Sequence, residues 1–165
     1  MIEKLIEEIR FSRRNGQTLS ALICALTLPD ICGQVEYPKE KPSARYKKWY
    51  AKYVGQYEHP SINDDQDDNM PYANENLIYD LRCHLVHQGE ADIDKQKQGL
   101  TVFRIINDHR FPKSTVFRTD SGKTGLEINV YDFVETLCLV AEGFYKDNKD
   151  KFDGETEQKD FILEF

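Results

Sequence analysis

Apolar residues recur at helical spacing in four separate segments of this chain. They fall at intervals of three or four within residues 2–9, 19–28, 77–85 and 133–145, which predicts a helix in each. The second segment is apolar on nearly every face, so its helix should lie at the centre of a bundle, with Pro29 ending or kinking it nearby. Gly89 should stop the third helix, which is expected from about Asn74 to Gln88.

A further helix is predicted from Ala44 onward by a row of aromatic residues. They lie at positions i, i+3, i+4, i+7 and i+11, on one helical face: Tyr46, Trp49, Tyr50, Tyr53 and Tyr57. Lysines are interleaved with them, and cations combined with stacking rings are used to bind single-stranded nucleic acid. Helical spacing favours a simpler interpretation, in which the aromatic residues are core and the lysines form the solvated face.

The hydrophobic period changes to two after these helices. Alternation over residues 100–107, with further candidates at 114–119 and 126–130, predicts short strands separated by turn-rich loops. We therefore expect a mainly α fold, a helical bundle with a small β-hairpin or three-stranded insert at about 100–130, before the last helix. Residues 1–149 would form this domain and residues 150–165 a charged C-terminal tail.

Length and charge narrow the classes of function. The chain has 165 residues, enough for one domain with a sizeable core, and its 22 basic and 29 acidic residues give a net charge of −7. That total argues against broad affinity for nucleic acid or anionic membranes. Residues 39–53 hold six basic residues and one acid, a balance of +5, which leaves −12 for the remainder. This segment makes Arg45, Lys47, Lys48 and Lys52 candidates for contacts with an RNA backbone.

The sequence predicts a cytoplasmic protein without a membrane anchor. Its longest mostly apolar run, residues 19–28, has ten residues, whereas a membrane-spanning helix needs about 20. The N-terminus is acidic and amphipathic, unlike a secretory signal. The four cysteines show no C-x-x-C spacing and are expected to be reduced structural thiols: Cys24, Cys32, Cys83 and Cys138.

Three further patterns are better explained without a ligand. Residues 122–124, Gly-Lys-Thr, resemble the end of a phosphate-binding loop, but Phe117 stands where the first glycine of that loop belongs, so we predict a hairpin turn. The acidic residues at 64–68 lack the glycine and final glutamate of a calcium loop and should form a solvated loop. His59 and His109 are isolated loop histidines.

The helix predicted from about Asn74 to Gln88 contains the remaining candidate chemistry. Arg82, His84 and His87 lie within six residues, on a helix that otherwise has a clear apolar face. Arginine holds a phosphate in bidentate fashion, and histidine gives or takes a proton near neutrality. Together they suit RNA cleavage in which the 2′-hydroxyl attacks its neighbouring phosphate. That reaction needs a proton acceptor, a proton donor and positive charge, and it needs no metal.

The spacing constrains how these residues act. Arg82 and His87 lie about 140° apart on a straight helix, so they diverge within one chain, whereas a two-fold homodimer could present both to one cleft. The alternative is structural, since basic residues near a helix end often only cap it or bind acids such as Asp80. A metal site on His84 and His87 lacks a third ligand, and we expect neither a metal nor a cofactor.

The pattern Arg82-x-x-x-x-His87, in a helix of the form Leu-Arg-Cys-x-Leu-x-His-Gln-Gly, resembles the Arg-x(4–6)-His motif of the HEPN superfamily. The motif is short, and the bundle pattern extends the likeness loosely over residues 1–149. The resemblance implies a bundle of four to five helices and a homodimer with the motif at its interface. In many members it also implies metal-independent endoribonuclease activity, in bacterial defence or toxin–antitoxin systems. Arg82 would bind the scissile phosphate, His87 would be the acid or base, and His84 would be a supporting polar group. The implied partners are RNA and a cognate antitoxin or another protein.

One departure from the family pattern concerns catalysis. Active members usually carry a small polar residue directly after the arginine, where this chain has Cys83. Some branches of the superfamily are regarded as non-enzymatic, so the second hypothesis is a non-catalytic module that binds RNA or a partner protein. A third is a helical dimer whose motif only stabilises the interface. The β-insert also departs from the minimal bundle.

Overall fold

Helices build most of the described chain, as the hydrophobic pattern predicts. The computed structural model describes residues 1–58, 71–89, 93–95, 97, 99–108, 110 and 114–154. Its α-helices are α1 (Ile2–Arg14), α2 (Thr18–Ala25), α3 (Leu28–Glu36), α4 (Pro42–Tyr53), α5 (Glu75–Gln88), α6 (Val130–Asp147) and α7 (Lys149–Gly154), with a 3-10 turn at Gly55–Tyr57. The predicted mainly α class is confirmed.

The longest helix, α6, lies at the centre and packs against α1, α2 and α3. Its buried stripe follows the predicted helical spacing: Val130, Phe133, Val134, Leu137, Cys138, Ala141, Phe144 and Tyr145. Ion pairs flank the contact between α1 and α6, where Arg10 binds Glu135 at 3.1 Å and Glu142 at 2.9 Å. The apolar stripe therefore forms the core, and charged groups close its edge.

The apolar segment at 19–28 forms parts of two helices. Helix α2 ends at Ala25, a turn follows at Leu26 and Thr27, and α3 begins at Leu28. The predicted break near Pro29 is confirmed, since the helix is interrupted at Leu26 and Thr27. Pro29 itself occupies the first turn of α3, where its missing N–H forfeits no helical hydrogen bond. Helix α2, expected at the centre of the bundle, is not covered on every face, since Leu19 is exposed.

Taken across that turn, Thr18–Glu36 is the one stretch of the described residues that is long and apolar enough to cross a membrane. The criterion is length and composition alone, with a mean hydropathy of 1.4. Of that window, 44% is buried inside the protein, and the buried core helices of soluble proteins meet the same criterion. The stretch is therefore consistent with a soluble protein.

The aromatic face of α4 belongs to the core. Tyr46, Trp49 and Tyr50 are each 1% exposed or less, which confirms the interpretation of the aromatic row as core residues. The Tyr50 hydroxyl donates a hydrogen bond to the Ala73 carbonyl oxygen at 2.9 Å, and so ties α4 to the segment before α5. Tyr57 departs from the row, because α4 ends at Tyr53 and Tyr57 lies exposed in the 3-10 turn.

The insert between α5 and α6 is a three-stranded mixed sheet. Of the two predicted forms, a β-hairpin or three strands, the second is therefore the one found. Its strands are β1 (Val102–Ile106), β2 (Ser114–Arg118) and β3 (Thr124–Asn129), in the order β1-β3-β2. The central β3 runs parallel to β1 and antiparallel to β2. Gly122, at φ +76°, lies in the turn between β2 and β3. The prediction of a hairpin turn at residues 122–124 is confirmed.

Asn129 joins the sheet to α6. Its side-chain oxygen accepts hydrogen bonds from the backbone N–H of Tyr131 at 3.2 Å and of Asp108 at 3.3 Å, and its amide donates to the Asp108 carbonyl. The first bond caps α6, and the others hold the chain that leaves β1. The sheet is thereby fixed at the amino end of the central helix.

The predicted C-terminal tail begins inside the helical body. Helix α7 spans Lys149–Gly154, and the ring of Phe152 packs edge-on against Phe144 and Tyr145 at centroid distances of 6.0 and 5.1 Å. Residues 155–165 lie outside the described residues, as do the acidic loop at 64–68, His59 and His109.

Candidate functional site

Helix α5, which carries the Arg82 motif, has well-defined ends. The Asn74 side chain accepts hydrogen bonds from the backbone N–H groups of Asn76 and Leu77, both at 3.0 Å, and so caps the first turn. Gly89 ends the helix in the left-handed conformation at φ +70°, which glycine adopts without strain. The predicted helix from about Asn74 to Gln88 is confirmed. Four apolar residues anchor it to the core: Leu77, Ile78, Leu81 and Leu85.

Arg82 lies at the edge of this apolar face, turned toward α3. Its Nη2 lies 3.8 Å from an oxygen of Asp30, while the other oxygen of that carboxylate accepts a hydrogen bond from Arg45 Nε at 3.1 Å. Two guanidinium groups therefore share one carboxylate, and one positive charge remains in excess. The Arg82 side chain is 21% exposed, and its Nε–H has no acceptor among the described residues. Because this Nε is itself buried, an incoming anion can reach only the exposed part of the guanidinium.

Two tyrosines stand beside Arg82. Tyr46 and Tyr79 pack edge to face, with ring centroids 5.2 Å apart. Burial raises the pKa of the Tyr46 hydroxyl far above its usual value, and the positive charge of Arg82 opposes part of that rise. Burial and Cys83 likewise raise the pKa of Tyr79. Both hydroxyls are therefore neutral at physiological pH, so neither tyrosine is a candidate general base.

The two histidines lie on a different side of α5 from Arg82. His87 is exposed in the last turn, and His84 is half-buried, its Nδ1 without a hydrogen-bond partner in the part of the chain that the structure describes. By helix geometry Arg82 and His87 remain about 140° apart. Half-buried Cys83 and exposed Val86 lie on the arc between them. One copy of the chain thus does not bring Arg82 and His87 together.

The basic segment of α4 is largely neutralised by neighbouring acids. Arg45 binds Asp30, Lys48 pairs with Glu40, and Lys52 pairs with Glu36 at 2.6 Å. This last contact raises the pKa of the Lys52 ammonium and lowers the pKa of the Glu36 carboxyl.

Lys47 is the exception in this segment. Its ammonium nitrogen lies 5.1 Å from the centre of the Tyr79 ring and has no carboxylate partner among the described residues. Of the four basic residues that the sequence offers for RNA contacts, Lys47 alone has a charge that no described acid balances.

A polar groove of about 530 Å³ opens beside the amino-terminal half of α5. Its lining combines two ammonium groups, two amides and one carboxylate: Lys47, Asn74, Asn76, Asp80 and Lys97. We call this the α5 groove. Sequence reasoning missed it because Lys97 follows the helix by nine residues and meets α5 only in the folded chain.

Asp30, like Lys97, is a residue of the site that the sequence analysis did not identify. Its helix, α3, was not predicted, since Pro29 was interpreted as an end rather than a beginning. The available signal was a proline in first-turn position followed directly by an acid, a pattern typical of a helix amino terminus. Had α3 been recognised, its acids would have been natural partners for the arginines and lysines of α4.

The described residues contain no group of three His, Cys, Asp or Glu side chains placed to hold a metal ion. The chemistry available here is a partly exposed guanidinium, an exposed imidazole on the same helix, and a polar groove nearer the helix amino end. Such a set suits the binding of an anion and the transfer of a proton.

Comparison of the chain with protein-family models, with curated proteins and with solved structures finds no match. The class of protein that fold and site define is a mainly helical protein with a three-stranded mixed sheet and an Arg/His pair on α5.

Proposed function

We propose that this chain is a cytoplasmic, homodimeric, HEPN-like endoribonuclease that cleaves RNA without a metal ion. The observation that carries the proposal is the Arg82 guanidinium, which shares one carboxylate with Arg45 and so lies in a region of excess positive charge. Exposed His87 follows it on the same helix. A guanidinium of this kind is suited to a phosphodiester, and an exposed imidazole to proton transfer.

The reaction needs one proton removed and one supplied. A neutral imidazole takes the proton of the 2′-hydroxyl while that oxygen attacks the neighbouring phosphorus. A protonated imidazole gives a proton to the departing 5′-oxygen, so the products are a 2′,3′-cyclic phosphate and a 5′-hydroxyl. In our proposal His87 makes one of these two proton transfers and water makes the other, Arg82 binds the non-bridging oxygens as their charge increases, and His84 is a supporting polar group.

A homodimer resolves the divergence of Arg82 and His87. Val86 is 42% exposed and lies, with Cys83, on the arc between them, so a second α5 packing there would cover an apolar surface. A two-fold axis running along the helix direction then sets the Arg82 side of one helix opposite the His87 side of its partner. Each cleft would receive Arg82 from one protomer and His87 from the other.

The phosphate must compete with Asp30 for Arg82. The ion pair between Arg82 and Asp30 is long, at 3.8 Å, whereas Arg45 holds Asp30 more closely, at 3.1 Å. Arg45 can therefore hold the Asp30 carboxylate in place while Arg82 turns to the substrate. At 3.8 Å the two charged groups are beyond hydrogen-bonding distance, so the exchange breaks no hydrogen bond between them.

Purified wild-type protein is expected to cleave single-stranded RNA at the same rate in EDTA as in magnesium. The products should end in a 2′,3′-cyclic phosphate, because attack by the 2′-hydroxyl leaves no other group there. Gel electrophoresis measures the rate of cleavage, and comparison of the products before and after acid treatment identifies their ends. Loss of cleavage in EDTA, or products that carry a 3′-hydroxyl, would refute the proposed mechanism.

A non-catalytic binding module is the second candidate function. Two observations favour it: Cys83 follows Arg82, and Arg82 already has a carboxylate partner in Asp30. Such a module would bind RNA or a cognate partner protein of the antitoxin type without turnover. The Arg82→Ala and His87→Ala proteins would then differ from wild type in binding or dimerisation only. If the motif merely stabilises an interface, both substitutions would lower the melting temperature and change nothing else.

A further inference from the structure

The α5 groove lies on the same exposed strip of α5 as His87. Two of its lining residues, Asn76 and Asp80, are within about 40° of His87 around the helix axis, and roughly 10 to 17 Å nearer the amino end. Lys47 connects the groove to the Arg82 site, since its ammonium lies over Tyr79, whose ring packs on Tyr46. The groove and the proposed cleft are thus two parts of one surface.

The cations of the groove are available to a ligand. Lys47 has no described carboxylate partner, and its ammonium contacts only the face of an aromatic ring among the interactions described above. Lys97 pairs with Asp94 at 2.9 Å, but its side chain is 75% exposed. A pair so open to water is weak, so a phosphate can replace the carboxylate. The two lysines approach the groove from α4 and from the chain after α5.

The other lining groups favour a nucleotide over a bare anion. Asp80 reduces the net charge of the five lining residues to +1, which suits a polymer that carries one negative charge per nucleotide. The exposed Asn76 amide both donates and accepts hydrogen bonds, as base edges and ribose hydroxyls do. Single-stranded nucleic acid meets these requirements, with one phosphate per nucleotide and polar base edges left unpaired.

We propose that the α5 groove binds the segment of single-stranded RNA adjacent to the scissile phosphate. This inference rests on the proposed function for the nature of its ligand. The RNA runs along the exposed strip of α5, with its backbone on Lys47 and Lys97 and its cleaved bond near His87. The groove thereby gives an acidic protein a local site for a polyanion.

Binding of a fluorescein-labelled 2′-O-methyl oligoribonucleotide tests the inference, because this probe cannot be cleaved by 2′-hydroxyl attack. We expect Lys47→Ala and Lys97→Ala each to weaken binding about threefold or more, and to lower the slope of log affinity against log salt by about 0.7. Asp80→Asn should strengthen binding by a similar factor, because it removes the negative charge of the groove. Fluorescence anisotropy across a salt series gives all of these values.

Lys123→Ala is the matched control, since it removes one exposed lysine from the β2–β3 turn. Equal losses for Lys47→Ala, Lys97→Ala and Lys123→Ala would overturn the groove as a site, as would unchanged binding by the first two. Cleavage assays separate this result from the proposed function. If the groove variants bind weakly but wild type never cleaves RNA, the groove stands and the nuclease fails. If wild type cleaves and the groove variants bind and cleave normally, the nuclease stands and the groove fails.

Discussion

The His87→Ala protein is expected to cleave RNA about 100- to 10,000-fold more slowly than wild type, the range that one general acid–base group contributes. His87 is exposed in the last turn of α5, so its removal should leave the fold intact. Loss of its favourable interaction with the helix carboxyl end costs about 1 kcal/mol or less. A large fall in rate with little change in melting temperature is therefore the result that separates a catalytic from a structural histidine.

Gln88→Ala is the appropriate control, because Gln88 is the exposed neighbour of His87 in the same turn. It should cleave at the wild-type rate. The measurement is single-turnover cleavage of a labelled RNA, paired with thermal unfolding of each variant. Wild-type cleavage by the His87→Ala protein would remove His87 from the mechanism. Equal losses of activity in both variants would point instead to a local change of structure.

Gly33→Ala is expected to destabilise the protein by about 1 to 3 kcal/mol, as is typical of an overpacked core. Gly33 lies where α3 meets α4, and an added Cβ would stand 2.8 Å from the Arg45 carbonyl oxygen and 3.4 Å from the Trp49 Cβ. The nearer atom belongs to the backbone of a helix, so it cannot move without moving α4. Alanine gains up to about 1 kcal/mol over glycine in a helix, which is too little to offset displacement of the helix.

Gly143→Ala is the comparison variant, for which we expect a change in stability of the opposite sign. Gly143 lies in the interior of α6, is exposed, and has open space around the position of an added Cβ. Here the helical preference of alanine acts alone and should stabilise the protein by about 0.5 to 1 kcal/mol. Urea unfolding of both variants measures the two values. A stabilised Gly33→Ala protein would mean that α3 and α4 do not approach as closely as described.

The contact at Gly33 also affects the candidate site. Asp30 lies three residues before Gly33 on α3, and Arg45 is the residue whose carbonyl the new methyl group would meet. Separation of the two helices would lengthen the hydrogen bond from Arg45 to Asp30, now 3.1 Å. The Gly33→Ala protein should therefore show a change in RNA binding in addition to its loss of stability.

Local features of the site helix could be predicted from the sequence. The start near Asn74, the apolar stripe ending at Leu85 and the stop at Gly89 are all encoded within or directly beside α5, so its bounds follow from neighbouring residues. The strands were likewise predicted from the alternation of their own residues. The turn at Gly122 was predicted from its strand–turn–strand setting rather than from its likeness to a phosphate-binding loop.

The environment of Arg82 could not be predicted in the same way. Its partner Asp30 is 52 residues earlier in the chain, and only the packing of α3, α4 and α5 brings them together. The count of positive charge over residues 39–53 is incomplete for the same reason, since it does not include the acids of α3 that pair with Lys52 and Arg45. Of the four candidate residues in that segment, Lys47 alone keeps a charge that no described acid balances.

Activity of a mixture of the Arg82→Ala and His87→Ala proteins, each nearly inactive alone, tests the central claim most directly. After random subunit exchange, half of the dimers contain one subunit of each kind. Each of these keeps one intact cleft with Arg82 from one protomer and His87 from the other. The account predicts recovery to about a quarter of the wild-type rate. A mixture no more active than its components, with exchange verified by native mass spectrometry, would contradict it.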